Sequence, residues 1–362
     1  MKIKFTNLYK LIPDKKKVIK KINLLVKNAN FIGGKEVQDF ENNFSKFTGA
    51  KHCVTVGNGT DALEIAVKAL NLNKNSEIIV PVNTWTSTAE AVINNGHKIV
   101  FCDVSLDDYT ICIKDLKKKI NKKTKAIIAV HLYGNPANMI EIKKITKNKK
   151  IKIIEDCAQA HGSKINGKHV GNFGDFGTFS FFPGKNLGAF GDGGAIITNS
   201  KYLHNISKRL RGHGSLKKYD HKFPGRNSRL DAIQSAILNI KLKNYKNVLK
   251  IRNNLASIYS KRLKNINGLN IYKYNKRNFY SFHQYVIRTN KRDKLRSYLL
   301  NSKIDTMVHY PYMLNQLKFF PTKKLKNSHL LGKKILSLPI SEDHTKKEIE
   351  FVCKKISSFF KG

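Results

Sequence analysis

Arginine is missing from the first 208 residues of this 362-residue chain; all ten arginines fall at or after Arg209. Acidic residues are scarce too, 25 against 68 lysines and arginines, for a formal net charge of +43. Such a charge raises the question of nucleic acid, because basic proteins displace counterions from a phosphate backbone. Specific base readout leans on bidentate arginine, however, and is poorly provided for here. Lysines instead fill polar faces throughout, in runs such as Lys15-Lys16-Lys17 and Lys117-Lys118-Lys119, among many Asn and Ile. The charge reads as solvated surface lysine, with nonspecific polyanion binding at low salt and no specific nucleic-acid site.

Cysteine is also sparse. Cys53, Cys102, Cys112, Cys157 and Cys353 are odd in number, scattered and without CxxC spacing, which excludes a disulfide framework and a zinc site and leaves free thiols as apolar filler. No apolar run approaches the roughly 18 residues that span a membrane, and Met1–Lys17 has no apolar stretch of signal-peptide length. A cytoplasmic location is the expectation. There is no internal repeat and no low-complexity linker. With 41% hydrophobic content, the length suits two packed domains.

What is present is an alternation. Lys15–Lys27 and Val37–Phe47 carry helical spacing, with Val37, Phe40, Phe44 and Phe47 on one face. Cys53–Gly57 is a short β-type run, followed by Asn58, Gly59 and a helix with Thr60 as its expected N-cap. A glycine turn opening a helix offers free amides and a positive dipole end to a phosphate. From Glu77 to Asp156, strand-like EIIVP, HKIVFCDV, KAIIAVHLYG and KIKIIED alternate with helical segments, the signature of a mostly parallel sheet covered by helices. Ligands in such sheets sit at carboxyl ends of strands, so Gly57, Thr84-Trp85, His131 and Asp156 are expected to share a pocket. Beyond it, Leu230–Lys264 reads as one long helix leading into a smaller α+β region with terminal helix Lys346–Phe360.

The chain is organised around Gly174–Ile197, GDFGTFSFFPGKNLGAFGDGGAII, in which Lys185 lies among glycines between two strand-like runs, Thr178–Phe182 and Gly194–Thr198. Burial there depresses an amine's pKa and makes it reactive. Upstream, IKIIEDCAQAHG ends a buried-strand pattern in Glu155-Asp156. A strand-end carboxylate and a glycine-flanked lysine suit pyridoxal 5'-phosphate (PLP): the lysine holds the aldehyde as a Schiff base and the carboxylate keeps the pyridine nitrogen protonated.

These segments, EDCAQAHG, FSFFPGKNLGAFGDGGAI and GRNSRLDAIQSAIL, together resemble the DegT/DnrJ/EryC1/StrS family of PLP-dependent nucleotide-sugar aminotransferases, over most of the chain from VQDFENNFSKFTG to LSLPI. The resemblance implies an α/β fold of PLP fold type I, with a large domain (1–245) around a mostly parallel seven-stranded sheet and a small α+β domain (246–362). It implies Lys185 as the residue carrying the cofactor and moving protons, Asp156 on the ring nitrogen and Gln159 on the ring hydroxyl side. It places Trp85 stacked on the ring, and Ser180 with the amides of Gly59 and Thr60 on the phosphate. Asn227, in a homodimer with shared sites, would reach the partner's phosphate. His161 stands as an orienting residue rather than an acid. Gly184 departs mildly from the serine frequent before the lysine.

The resemblance further implies L-glutamate as amino donor and a nucleotide-linked keto sugar as acceptor, for amino-sugar and surface polysaccharide synthesis. HLYGNPANM and RGHGSLKKYDHKFPGRNSRLDAIQSAIL look more like the branch aminating C-3, of a dTDP-linked 6-deoxyhexose or a UDP-linked sugar, than the C-4 branch, which stays as the alternative. Sugar dehydratases of the family carry histidine where Lys185 stands. A non-catalytic PLP-binding or regulatory protein is expected to lose the Lys185 and Asp156 pair.

Overall fold

The computed structural model describes residues 1–321 and 325–362. Two helices, α1 (Lys15–Lys27) and α2 (Gly34–Thr48), precede an alternation of β1 (His52–Val56), α3 (Gly59–Ala69), β2 (Glu77–Pro81), α4 (Thr86–Ile93), β3 (Lys98–Cys102), α5 (Ile113–Lys119), β4 (Thr124–Val130), α6 (Met139–Thr146) and β5 (Lys152–Asp156). A small hairpin, β6 (Lys164–Ile165) and β7 (Lys168–His169), leads to β8 (Phe176–Ser180), the lysine loop and β9 (Gly194–Thr198). The chain continues through α7 (Lys201–Arg211), α8 (Ala232–Lys243), α9 (Tyr245–Leu263), β10 (Leu269–Ile271), β11 (Asn278–Phe279), β12 (Tyr285–Thr289), α10 (Arg292–Asn301), α11 (Lys326–Lys334), β13 (Ile335–Leu338) and α12 (Lys346–Lys361).

The seven-stranded sheet has the order β1-β9-β8-β5-β4-β2-β3. β8, β5, β4, β2 and β3 run parallel, while β9 lies antiparallel between β8 and β1, so the expected mostly parallel sheet is found. Its strands are apolar on both faces, as a sheet covered by helices on each side requires. Alternate residues go to opposite cores: Ile128, Val130, Ile154 and Ile196 to one, Ile127, Ala129, Ile153 and Ile197 to the other. On the second face Phe44 of α2 meets Phe179 and Phe181 edge-on, with ring centroids 5.0 and 5.3 Å apart, the geometry that ring quadrupoles favour. A three-stranded antiparallel sheet, β10-β12-β13, occupies the C-terminal part, and α12 packs along α9. Among the described residues no helix is long and apolar enough to cross a membrane.

Two local expectations are corrected. Leu230–Lys264 is not one helix: α8 stops at Asn244, which leaves helical geometry at φ −103°, ψ 6°, and α9 starts at once. The break turns Tyr245 inward, where its hydroxyl donates to the His161 carbonyl at 3.0 Å. The N-cap of α3 is Asn58, not Thr60: its side-chain oxygen accepts from the Asp61 amide at 2.8 Å. Both residues are good caps, and Asn58 wins because the helix already begins at Gly59.

Candidate active site

The carboxyl ends of the parallel strands and the lysine loop enclose a cavity of about 430 Å³ lined by Gly59, Thr60, Trp85, Asp156, Gln159, Ser180 and Lys185, among others. A larger cleft of about 750 Å³, between α2, α8 and α9, has Lys46, Lys164, Lys243 and Lys246 around an apolar floor and no carboxylate in its lining. It is not where the chemistry gathers.

At one end of the smaller cavity α3 begins. A helix leaves its first amides without intrahelical acceptors, here those of Gly59 and Thr60, two residues that line the pocket together with Ser180. The approach is close enough to demand glycine: a Cβ on Gly59 would stand 2.7 Å from the Ser180 Cβ. The Thr60 hydroxyl also meets that of Ser87, at the start of α4, at 2.7 Å. Amides and hydroxyls converging on a tight cup make an anion site.

At the floor, Asp156 is 5% exposed. Its carboxylate accepts from the Thr88 hydroxyl at 2.8 Å and the Ala158 amide at 3.1 Å, which fixes its orientation. Burial raises its pKa, against the pull of those bonds and of Lys185. Lys185 is pushed the other way, down to about 8, by burial, which outweighs the attraction of Asp156. Gln159 is held at both ends: Oε1 accepts from the Tyr133 amide at 2.7 Å and Nε2 donates to the Tyr310 hydroxyl at 3.0 Å. Trp85 is 59% exposed on the rim, tilted against Tyr310 with centroids 5.6 Å apart.

Of the residues expected to share the pocket, Gly57 and His131 are absent from its lining. His131 does not enter the pocket; it is fully buried behind it, its Nδ1 accepting from the Ala137 amide at 2.9 Å. That bond leaves Nε2 to donate to Glu155 at 3.0 Å. The Glu155 carboxylate also accepts from the amides of Gly171, Phe173 and Gly174, making a brace under the Asp156 strand end. His161 packs against Phe179 and Phe181, and burial drives its pKa to about 3, so it is a neutral ring with no acid function. Asn227 is exposed and outside the cavity of its own chain, on a segment bridged to Gly212.

Sequence reasoning missed Tyr310 and Thr88. Tyr310 lies in HYPYMLNQ, read only as a loop, and its link to Gln159 spans 151 residues, so nothing local marks it. Thr88 had a faint signal: it sits three residues past Trp85, one turn along α4, so both face the pocket.

The DegT/DnrJ/EryC1/StrS aminotransferase family profile matches residues 13–357. The chain belongs to that family. It is 38% identical over 347 residues to the dTDP-3-amino-3,6-dideoxy-alpha-D-galactopyranose transaminase of Aneurinibacillus thermoaerophilus, covering 95% of each chain. It is 36% identical to the UDP-N-acetyl-3-dehydro-alpha-D-glucosamine 3-aminotransferase of Acidithiobacillus ferrooxidans, over 93% of this chain and 92% of that one. Among solved structures, S. venezuelae DesV in complex with a ketimine intermediate superimposes with a TM-score of 0.97 at 31% identity, over 100% of this chain and 99% of that one. The family is one of PLP-dependent aminotransferases, and PLP is the cofactor of this enzyme. The cavity has the donor set such a group needs: a cup for a phosphate, a buried carboxylate for a ring nitrogen and one low-pKa amine.

Proposed function

We propose that the enzyme moves an amino group from L-glutamate to C-3 of a nucleotide-linked keto sugar, a dTDP-linked 6-deoxyhexose or a UDP-linked sugar, for amino-sugar and surface polysaccharide synthesis. The observation that carries the reaction type is a single amine of pKa about 8 sharing a cavity with the buried carboxylate of Asp156. The position and the nucleotide rest on the names of the two curated relatives above, which both aminate C-3 by those names.

When bound, PLP supplies the electron-withdrawing ring that makes a carbon–hydrogen bond beside the amino group acidic. Lys185 Nζ would hold the cofactor and, once freed by a substrate amine, would take the donor's α-proton and later deliver a proton to C-3 of the acceptor. Its depressed pKa suits both directions near neutrality. Asp156, oriented by Thr88 and Ala158, keeps the proton on the ring nitrogen. Ser180 and the amides of Gly59 and Thr60 would hold the phosphate, Gln159 would meet the ring hydroxyl side and Trp85 would cover the ring face. The same reading divides the chain after residue 245, where α9 carries it towards the C-terminal sheet.

The active unit in this reading is a homodimer in which Asn227 completes the partner's phosphate site, which accounts for its outward placement. A two-fold axis would give each subunit the same contribution. Mixing Lys185→Ala with Asn227→Asp after dissociation and reassociation tests this: heterodimers contain one intact site, and activity should recover to about a quarter of wild type under random pairing. Heterodimers that stay dead would refute shared sites. For the reaction, enzyme in the pyridoxamine form is offered a panel of nucleotide keto sugars. Return of visible absorbance with 3-keto substrates is expected, and a response to 4-keto substrates alone defeats the C-3 assignment.

A further inference from the structure

Residues 225–230 do more than expose Asn227. Their backbone is tied to the end of α7: the Arg226 amide donates to the Leu210 carbonyl at 2.8 Å and the Ser228 amide to the Arg211 carbonyl at 3.0 Å. The segment is extended there, so side chains alternate. Arg226 and Ser228 turn inward, while Asn227 and Arg229 are exposed.

Both inward residues grip one carboxylate. Arg226 Nη1 lies 2.7 Å from Asp61 Oδ1, and its Nη2 is paired with Glu64. The Ser228 hydroxyl donates to Asp61 Oδ2 at 2.7 Å and accepts from the Gly57 amide at 2.9 Å. Asp61 is in the first turn of α3, the helix whose amino end forms the phosphate cup, and its own amide is capped by Asn58. The outward arm of one chain is therefore bolted to that chain's own cup.

We propose that Arg226 and Ser228 are positioning residues for the cofactor site of the other subunit: through Asp61 they hold Asn227 turned out, in register with the place where a second copy's cup meets it. The inference rests on the shared-site reading above. Its consequence is a lesion felt in trans, at the other subunit's pocket.

The test uses mixed dimers in which one subunit carries Lys185→Ala, so that only the other subunit's lysine forms the Schiff base, whose absorbance is red-shifted from that of free PLP and is followed as PLP is titrated into the apo dimer. The reporting site takes its Asn227 from the Lys185→Ala subunit. Adding Arg226→Gln to that subunit should raise the PLP concentration for half-saturation about fivefold, in line with a lost charge-assisted bond acting through one intermediary. Ser228→Ala in the same place should shift it in the same direction. If Arg226→Gln does not assemble, Arg226→Lys, which keeps the charge but cannot span both carboxylates, replaces it with a smaller rise expected. Asn227→Ala in trans is the control. If that variant weakens the reporting site and the Arg226 and Ser228 variants do not, the positioning role is wrong. If Asn227→Ala in trans has no effect either, the shared-site reading itself falls.

Discussion

The reactivity of Lys185 in the cofactor-free protein can be worked out from its surroundings. An ordinary lysine, with a pKa near 10.5, is about one part in a thousand neutral at pH 7.5, whereas one with a pKa of about 8 is neutral to about a quarter, a gain of about 200-fold in nucleophile. The sign follows from the causes. Burial disfavours the ammonium and pulls the value down, and the Asp156 carboxylate partly opposes it. Asp156→Asn removes only the opposing charge, so the midpoint should move further below 8 while binding of a pyridine ring nitrogen weakens. The assay exposes apo protein to a neutral aromatic aldehyde across pH 6 to 11, traps the adduct with borohydride and counts label on the Lys185 peptide, with surface lysines as internal references. Labelling of Lys185 should rise through pH 8, about two units before the surface lysines. A Lys185 midpoint coincident with theirs, or one that moves upward in Asp156→Asn, would refute the argument.

Other outcomes follow from the same geometry. Lys185→Ala should still bind PLP noncovalently but lose turnover by several orders of magnitude, seen as retained cofactor on a desalting column and absent product. Gly59→Ala drives a methyl to 2.7 Å from the Ser180 Cβ and should cost about 1–3 kcal/mol in urea unfolding, with Ser180→Gly restoring stability but not cofactor affinity. Glu155→Gln puts an amide against the donors Gly171, Phe173 and Gly174 and should destabilise by about 3–5 kcal/mol at pH 7. Burial alone would raise the Glu155 pKa, but His131 and the amides of Gly171 and Gly174 hold it below 4.5, so its contribution is present above that pH and fades as pH falls. The gap between wild type and variant should narrow accordingly; a constant gap speaks against the charge. Tyr310→Phe frees Gln159 Nε2 and should weaken PLP binding by about 1 kcal/mol in absorbance titrations.

Much of this architecture is written locally. Runs such as EIIVP, KAIIAV and KIIED mark buried parallel strands because both faces must be apolar, and Gly194–Thr198 coincides with β9. Lys185 was legible only together with Asp156: a lysine among glycines alone reads as a loop residue, and the strand-end carboxylate upstream tips it to chemistry. Tyr310 was not, since it acquires meaning only when a segment 151 residues away folds against Gln159. The roles of His131 and Glu155 were hidden for a related reason: a histidine at a strand end fits a pocket or a brace equally well, and only the three amides of the 171–174 turn decide between them. The Asn244 break shows a third kind of limit, where helical periodicity runs through a point at which tertiary burial of Tyr245 redirects the chain.

The position of β9 between β1 and β8 has a consequence for how the chain is made. β1 pairs in the sheet only with β9, Cys53 lying opposite Ile197, so once made it has no neighbour until the chain through β9 has left the ribosome. Until then an apolar edge strand stands open, and closing so long a loop is entropically slow. The pocket waits longer still, because Tyr310 follows Gln159 by 151 residues. A nascent chain halted after β5 would display a half-built sheet with one raw edge, the kind of surface that recruits chaperones or aggregates. Catalytic competence is thus delayed until Tyr310 has been made, and chains truncated anywhere before β9 should yield insoluble product rather than a weakened enzyme.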